Sequence, residues 1–160
     1  MTEPSVVSPI ELTGGCQCGA VRYRARAESD AAYYCHCRMC QKAFGNVFAA
    51  FVNVKKGDVA WEQGAPTYFA STKFSRRGFC SACGTPLTFE YLEGAKIDLS
   101  VGSLDEPGRL RLAFHFGVES RIASFHTPDG LPEKRTDEVG HIVKKWSDAY
   151  GEGVEMGPRK

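Results

Sequence analysis

Cys35-His36-Cys37-Arg38-Met39-Cys40 places three cysteines within six residues. Cys16-Gln17-Cys18 lies upstream of it and Cys80-Ser81-Ala82-Cys83 downstream, and the three clusters account for all seven cysteines of the chain. Seven divides into four and three. Four thiolates close a tetrahedral metal site, whereas three leave one coordination position for water or substrate. Two ions per chain are expected, one structural and one available for chemistry.

Cys80-Ser81-Ala82-Cys83-Gly84 has the spacing of a metal-binding knuckle, in which both sulfurs face one ion and the glycine supplies a positive φ. Cys16-Gln17-Cys18-Gly19 also ends in glycine, with a one-residue spacer that demands a sharper bend. Two groupings are compatible with the spacing. In one, Cys16, Cys18, Cys80 and Cys83 share a closed structural site, and Cys35, Cys37 and Cys40 form an open catalytic one. In the other, Cys37 and Cys40 join Cys80 and Cys83 as a ribbon. The first is preferred because the second strands Cys16, Cys18 and Cys35 as a less compact trio. Thiolate-only tetrahedral ligation points to Zn²⁺. An iron–sulfur cluster is the competitor, but it would use four cysteines and leave three idle. Three thiolates make zinc a weak generator of hydroxide. They suit it to a soft thiol as fourth ligand, held there as a nucleophile.

The bulk properties are those of one globular domain: 160 residues, 42% hydrophobic and 24% charged, with a formal net charge of +1. No global field recruits nucleic acid or anionic membrane, so a nucleic-acid partner is not expected. No apolar run approaches the roughly 20 residues that span a bilayer, and the start lacks the pattern of an export signal. A cytoplasmic, reducing compartment follows as the expectation, and there clustered cysteines suggest metal rather than disulfides.

Residues 1–9 read as a flexible arm, 10–150 as a single zinc-stapled domain and 151–160 as a disordered tail. The domain reads as mainly β with little helix. Val21, Tyr23 and Ala25 alternate with Arg22, Arg24 and Arg26, which predicts a strand with one wet face at a sheet edge. Residues 46–54 form a nearly continuous apolar run that suits a strand buried on both faces. Further strands are expected over 59–62, 67–70, 87–91, 96–101 and 110–116, separated by turns at Gly57, Gly64-Ala65-Pro66, Gly94 and Pro107-Gly108. Short helices are expected over 39–44 and 139–150.

These stretches together resemble the glutathione-dependent formaldehyde-activating enzyme family, whose domain is shared with centromere protein V. The matching segments are Gly14-Gly15-Cys16-Gln17-Cys18-Gly19-Ala20-Val21, Cys35-His36-Cys37-Arg38-Met39-Cys40 with Gly45, and Arg77-Gly78-Phe79-Cys80-Ser81-Ala82-Cys83-Gly84-Thr85-Pro86-Leu87. A weaker match runs from His115 through Arg121 to Asp129-Gly130-Leu131-Pro132, and Phe125 stands where the family usually has tryptophan. The resemblance implies a tent-like β fold and two zinc ions divided as in the first grouping. It also implies addition of glutathione to formaldehyde, or the reverse carbon–sulfur lyase reaction, with a small thiol and an aldehyde as partners.

Cys35, Cys37 and Cys40 are the first candidates for function. His36, between two ligands, is a candidate for proton supply or orientation of a carbonyl. Arg77 is a candidate for pairing with a substrate carboxylate, against a plainer role near the structural zinc. His115 reads as an ordinary core or surface histidine. The alternative to an enzyme is a non-catalytic zinc-scaffolded module that binds protein or nucleic acid, for instance through the arginine stripe.

Overall fold

The computed structural model describes residues 8–158, so most of the arm expected over 1–9 and the last two residues lie outside the described residues. The architecture is mostly β. The strands are β1 (Ile10–Gly15), β2 (Arg22–Cys35), β3 (Ala49–Gln63), β4 (Thr67–Thr72), β5 (Ser75–Phe79), β6 (Pro86–Tyr91), β7 (Lys96–Ser100), β8 (Arg111–Phe116) and β9 (Glu133–Lys134). The helices are α1 (Arg38–Phe44) and α2 (Gly140–Tyr150), accompanied by short 3₁₀ turns. The described chain divides into two compact units, one of residues 8–32 and 50–112 and one of residues 33–49 and 113–158.

In the first unit the strand order is β4-β5-β6-β7-β3-β2, with β1 also paired to β2. The pairings given by register (β1 with β2, β3 with β7, β4 with β5, β5 with β6 and β6 with β7) are antiparallel. β2 alternates as its sequence predicts: Tyr23, Ala25 and Ala27 are buried while Arg24 and Arg26 face solvent. It is not an edge strand, because β1 pairs along residues 22–27 and β3 is its neighbour in the sheet. The arginines are engaged instead by carboxylates: Arg22 with Asp105 at 2.5 Å, Arg24 with Glu62 at 2.9 Å and Arg26 with Glu11 at 3.7 Å.

The apolar run before residue 54 behaves as predicted only in part. Phe51 and Val52 are consecutive buried residues, but alternation begins there, with Val54 inside and Asn53 outside. β3 then continues through Gly57 to Gln63, and the turn expected at Gly57 does not form. Pairing with β7 reaches Lys55, and the Lys56 amide donates to the Ala95 carbonyl at 2.9 Å. A lone glycine weakens a strand without ending it when the ladder on either side is satisfied.

Three strands, β1, β5 and β9, escape a reading based on period. β1 contains Gly14-Gly15, and a Cβ at Gly14 would stand 2.5 Å from the Ser103 carbonyl, so close packing explains the residue. β5 carries Arg76, Arg77 and Gly78 yet lies between β4 and β6. Arg76 directly opposes Glu90 on β6, binds it at 2.7 Å and lies over the Tyr68 ring. Partners on neighbouring strands make a charged interior strand tolerable.

The core of the first unit gathers Leu12, Val21, Tyr23, Ala25, Ala27, Val52, Val54, Leu87, Ile97, Leu99 and Leu104, together with Cys16 and Cys80. The second unit contains α1, the parallel pair β8–β9 and α2, whose Ile142 and Trp146 are buried. Residues 151–158 contain only turns and bends.

Candidate metal centres

Two tight turns build the first centre. The Cys16 amide bonds the Val21 carbonyl, and the Gly19 amide returns to the Cys16 carbonyl at 3.1 Å. Likewise the Cys80 amide bonds the Thr85 carbonyl, and the Gly84 amide returns to the Cys80 carbonyl at 2.8 Å. Gly19 and Gly84 hold φ of 80° and 78°, the left-handed region where a side chain is strained. The turns are joined by the Gln17 amide donating to Thr85 Oγ1 at 3.0 Å.

Cys16, Cys18, Cys80 and Cys83 are thereby brought together with their sulfurs all within 4.8 Å. The Cys16–Cys18 and Cys18–Cys80 separations are 3.5 and 3.8 Å. A tetrahedral ion with bonds of about 2.3 Å requires sulfurs about 3.8 Å apart, so this donor set fits a metal such as zinc. The Thr85 hydroxyl and backbone, with the Cys18 amide, hold the Cys83 thiol down to about 5. The Ala20 amide favours the Cys18 thiolate, but the Cys16 and Cys83 sulfurs outweigh it and push that thiol up to about 11. Four sulfurs in one space cannot all ionise readily without a cation among them.

The second centre is built at the start of α1. Cys37 caps this helix from an extended conformation, φ −60° and ψ 148°, and its Sγ accepts from the Cys40 amide at 3.4 Å. Gly45, left-handed at φ 57°, closes the other end. Cys35, at the end of β2, and Cys40, in the first turn of α1, complete a trio of sulfurs within 4.8 Å of one another. Hydrogen bonding with the Cys37 and Cys40 thiols, together with burial, drives the Cys35 thiol well above the ordinary range. Cys35 favours the Cys37 thiolate, but Cys40 and burial prevail and push Cys37 up to about 12. This trio also calls for a soft cation to hold it as thiolates. The seven cysteines thus separate into groups of four and three, as in the first grouping.

His36 lies between two of these cysteines, and its ring is buried. Its Nε2 meets His115 Nδ1 at 2.8 Å, and His115 Nε2 in turn meets Asp129 Oδ2 at 2.8 Å. Tyr34 and Phe48 stack on each other beside it, with His126 edge-on. Burial first, and His115 next, bring the His36 imidazole down to about 4. Gln41 Nε2 donates both to the His36 carbonyl at 2.7 Å and to the Ser120 carbonyl at 3.0 Å. The sequence reading takes His115 for an ordinary core or surface histidine, gives Asp129 no role and passes over Gln41. Only the weak late match around Asp129 hinted at them, because no spacing rule ties residue 129 to residue 36.

Arg77 lies in the first unit, on β5, buried with its guanidinium over the Phe89 ring at 4.8 Å and its Nε donating to Ser71 Oγ. His141, in the first turn of α2, is exposed. Among the described residues no helix is long and apolar enough to cross a membrane.

A relative from Schizosaccharomyces pombe, described as an uncharacterized lyase, is 36% identical over 84 residues. That alignment takes in 52% of this chain and 61% of the relative, so the chain spans about three-fifths of the relative's length. A crystal structure of a Rhodobacter sphaeroides protein aligns with a TM-score of 0.48 and 22% identity over 58% of this chain and 87% of that one. Residues 11–120, which hold all seven cysteines, match the family model described as glutathione-dependent formaldehyde-activating enzyme. By that match over more than half of its length, this chain belongs to the glutathione-dependent formaldehyde-activating enzyme family.

Proposed function

We propose that this chain is a zinc-dependent carbon–sulfur lyase or synthase that forms or cleaves the adduct of a small thiol with an aldehyde. Glutathione and formaldehyde are the substrates that the family suggests. The observation that carries the proposal is the contrast between the two sulfur groups, one of four and one of three. Cys16, Cys18, Cys80 and Cys83 would hold a structural zinc. Cys35, Cys37 and Cys40 would hold the second and leave a coordination position to substrate. Zinc held there lowers the pKa of a bound thiol and keeps it nucleophilic near neutral pH.

In the synthase direction the thiol sulfur forms a bond to the carbonyl carbon. The π pair of the carbonyl moves to oxygen, which takes up the proton the thiol has lost. In the lyase direction the same bonds are exchanged in reverse. His36 is assigned to holding the Cys35–Cys37 turn rather than to proton supply or orientation of a carbonyl, because its Nε2 is committed to His115. The lyase description of the yeast relative agrees with this class of reaction.

Elemental analysis of the purified chain is expected to find two zinc ions. Proton-exchange NMR is expected to show faster interconversion of formaldehyde, glutathione and their adduct in its presence. Cys40→Ala should lose about one ion and the acceleration, while its circular dichroism stays that of the parent. Equal exchange rates with and without the parent protein would refute the activity.

A further inference from the structure

His36 is anchored at three points. Its amide donates to the Phe116 carbonyl at 2.8 Å, its carbonyl accepts from Gln41 Nε2 at 2.7 Å, and its ring meets His115 at 2.8 Å. Because Cys35 and Cys37 flank it, each anchor constrains the turn that aims both sulfurs at one point. The backbone anchors depend on β8 and α1. The ring anchor depends on a line of side chains that ends at Asp129, whose carboxylate is about one-third exposed.

We propose that Asp129 and His115 are positioning residues for the three-cysteine centre, holding the Cys35–Cys37 turn through the ring of His36. This rests on the reading of that trio as the reactive metal centre. The donor and acceptor roles follow along the line. A carboxylate only accepts, so His115 carries its proton on Nε2, facing Asp129. An imidazole that holds its one proton on Nε2 offers Nδ1 as an acceptor, and in that arrangement His36 donates from Nε2 and keeps a lone pair on Nδ1. Removing Asp129 frees His115 to turn over or to exchange tautomer, and His36 loses its fixed partner. Outer partners of this kind typically change metal affinity by about 10- to 100-fold when mutated. A plain core role for the two histidines predicts something else: lower global stability, with both metal sites affected alike.

The test uses the full chain loaded with zinc. Long-range ¹H–¹⁵N correlation spectra should show both His36 and His115 as Nε2–H tautomers, and Asp129→Asn should abolish the single tautomer of His115. In chelator competition, Asp129→Asn and His115→Phe should weaken zinc at the three-cysteine centre by about 10- to 100-fold and leave the four-cysteine centre within twofold. Asp129→Glu should restore most of the affinity. A parent His36 carrying its proton on Nδ1 would overturn the proposal. So would Asp129→Asn with unchanged zinc affinity at the trio, even if the parent tautomers are as expected. A parent that binds only one ion would overturn the metal reading itself, and the proposal with it.

Discussion

At the scale of single residues, two glycines separate local strain from steric conflict. Gly84 closes the second knuckle at φ 78° with nothing within 4 Å of the position a Cβ would take. Gly84→Ala should therefore add only the backbone cost, about 1–2 kcal/mol. Gly117 stands at φ 68°, and a Cβ there would come within 2.9 Å of the Cys37 amide nitrogen. Gly117→Ala should add overpacking of about 1–3 kcal/mol to the same strain and displace a ligand-bearing residue. Urea titration should rank the two variants in that order. Zinc content should fall by about one ion in Gly117→Ala, and an unchanged content there would show that the Cys37 turn tolerates the displacement.

Among the elements, the first unit is tied by Glu90, a buried carboxylate on β6 that binds Arg76 of β5 at 2.7 Å and Lys56 of β3 at 2.8 Å. Burial alone would raise its pKa, but Lys56 and Arg76 prevail and hold it below the usual carboxylate value. A carboxylate with a depressed folded pKa contributes stability that is present above its unfolded value. That contribution is lost as pH falls through the folded one. The parent should thus lose stability below about pH 4.5, and Glu90→Gln should flatten that part of the profile. Near pH 7 the variant should be less stable by about 2 kcal/mol. This is lower than for a fully buried pair because both cations are partly exposed. Thermal melts across pH measure both effects, and parallel acid limbs in the two proteins would contradict the assignment.

For the molecule as a whole, the two sulfur centres differ in what they support. Cys16 and Cys80 belong to the hydrophobic core of the first unit, so that centre and the core should form together. Cys80→Ala should cost about 4–5 kcal/mol or more, through the lost ligand and the lost metal. Amide exchange should then accelerate throughout β1, β2, β6 and β7. Cys40→Ala should leave protection in those strands at parental levels. Loss of protection in both variants would mean that the three-cysteine centre is structural as well.

The alternation of Val21, Tyr23 and Ala25 with arginines, the glycines that follow two cysteine pairs and the four-to-three division of sulfurs were all legible in the chain. Each is a local pattern, set by side-chain period, by the φ that only glycine adopts freely or by the ligand count of a tetrahedral ion. β5 and the continuity of β3 through Gly57 were not legible, since what makes Arg76 and Gly57 acceptable in strands lies on neighbouring strands. The line from His36 through His115 to Asp129 was hidden for the same reason. Hydrogen bonds between side chains 79 and 14 positions apart leave no period or spacing, and come into being only when the folded chain sets those side chains within 2.8 Å of each other.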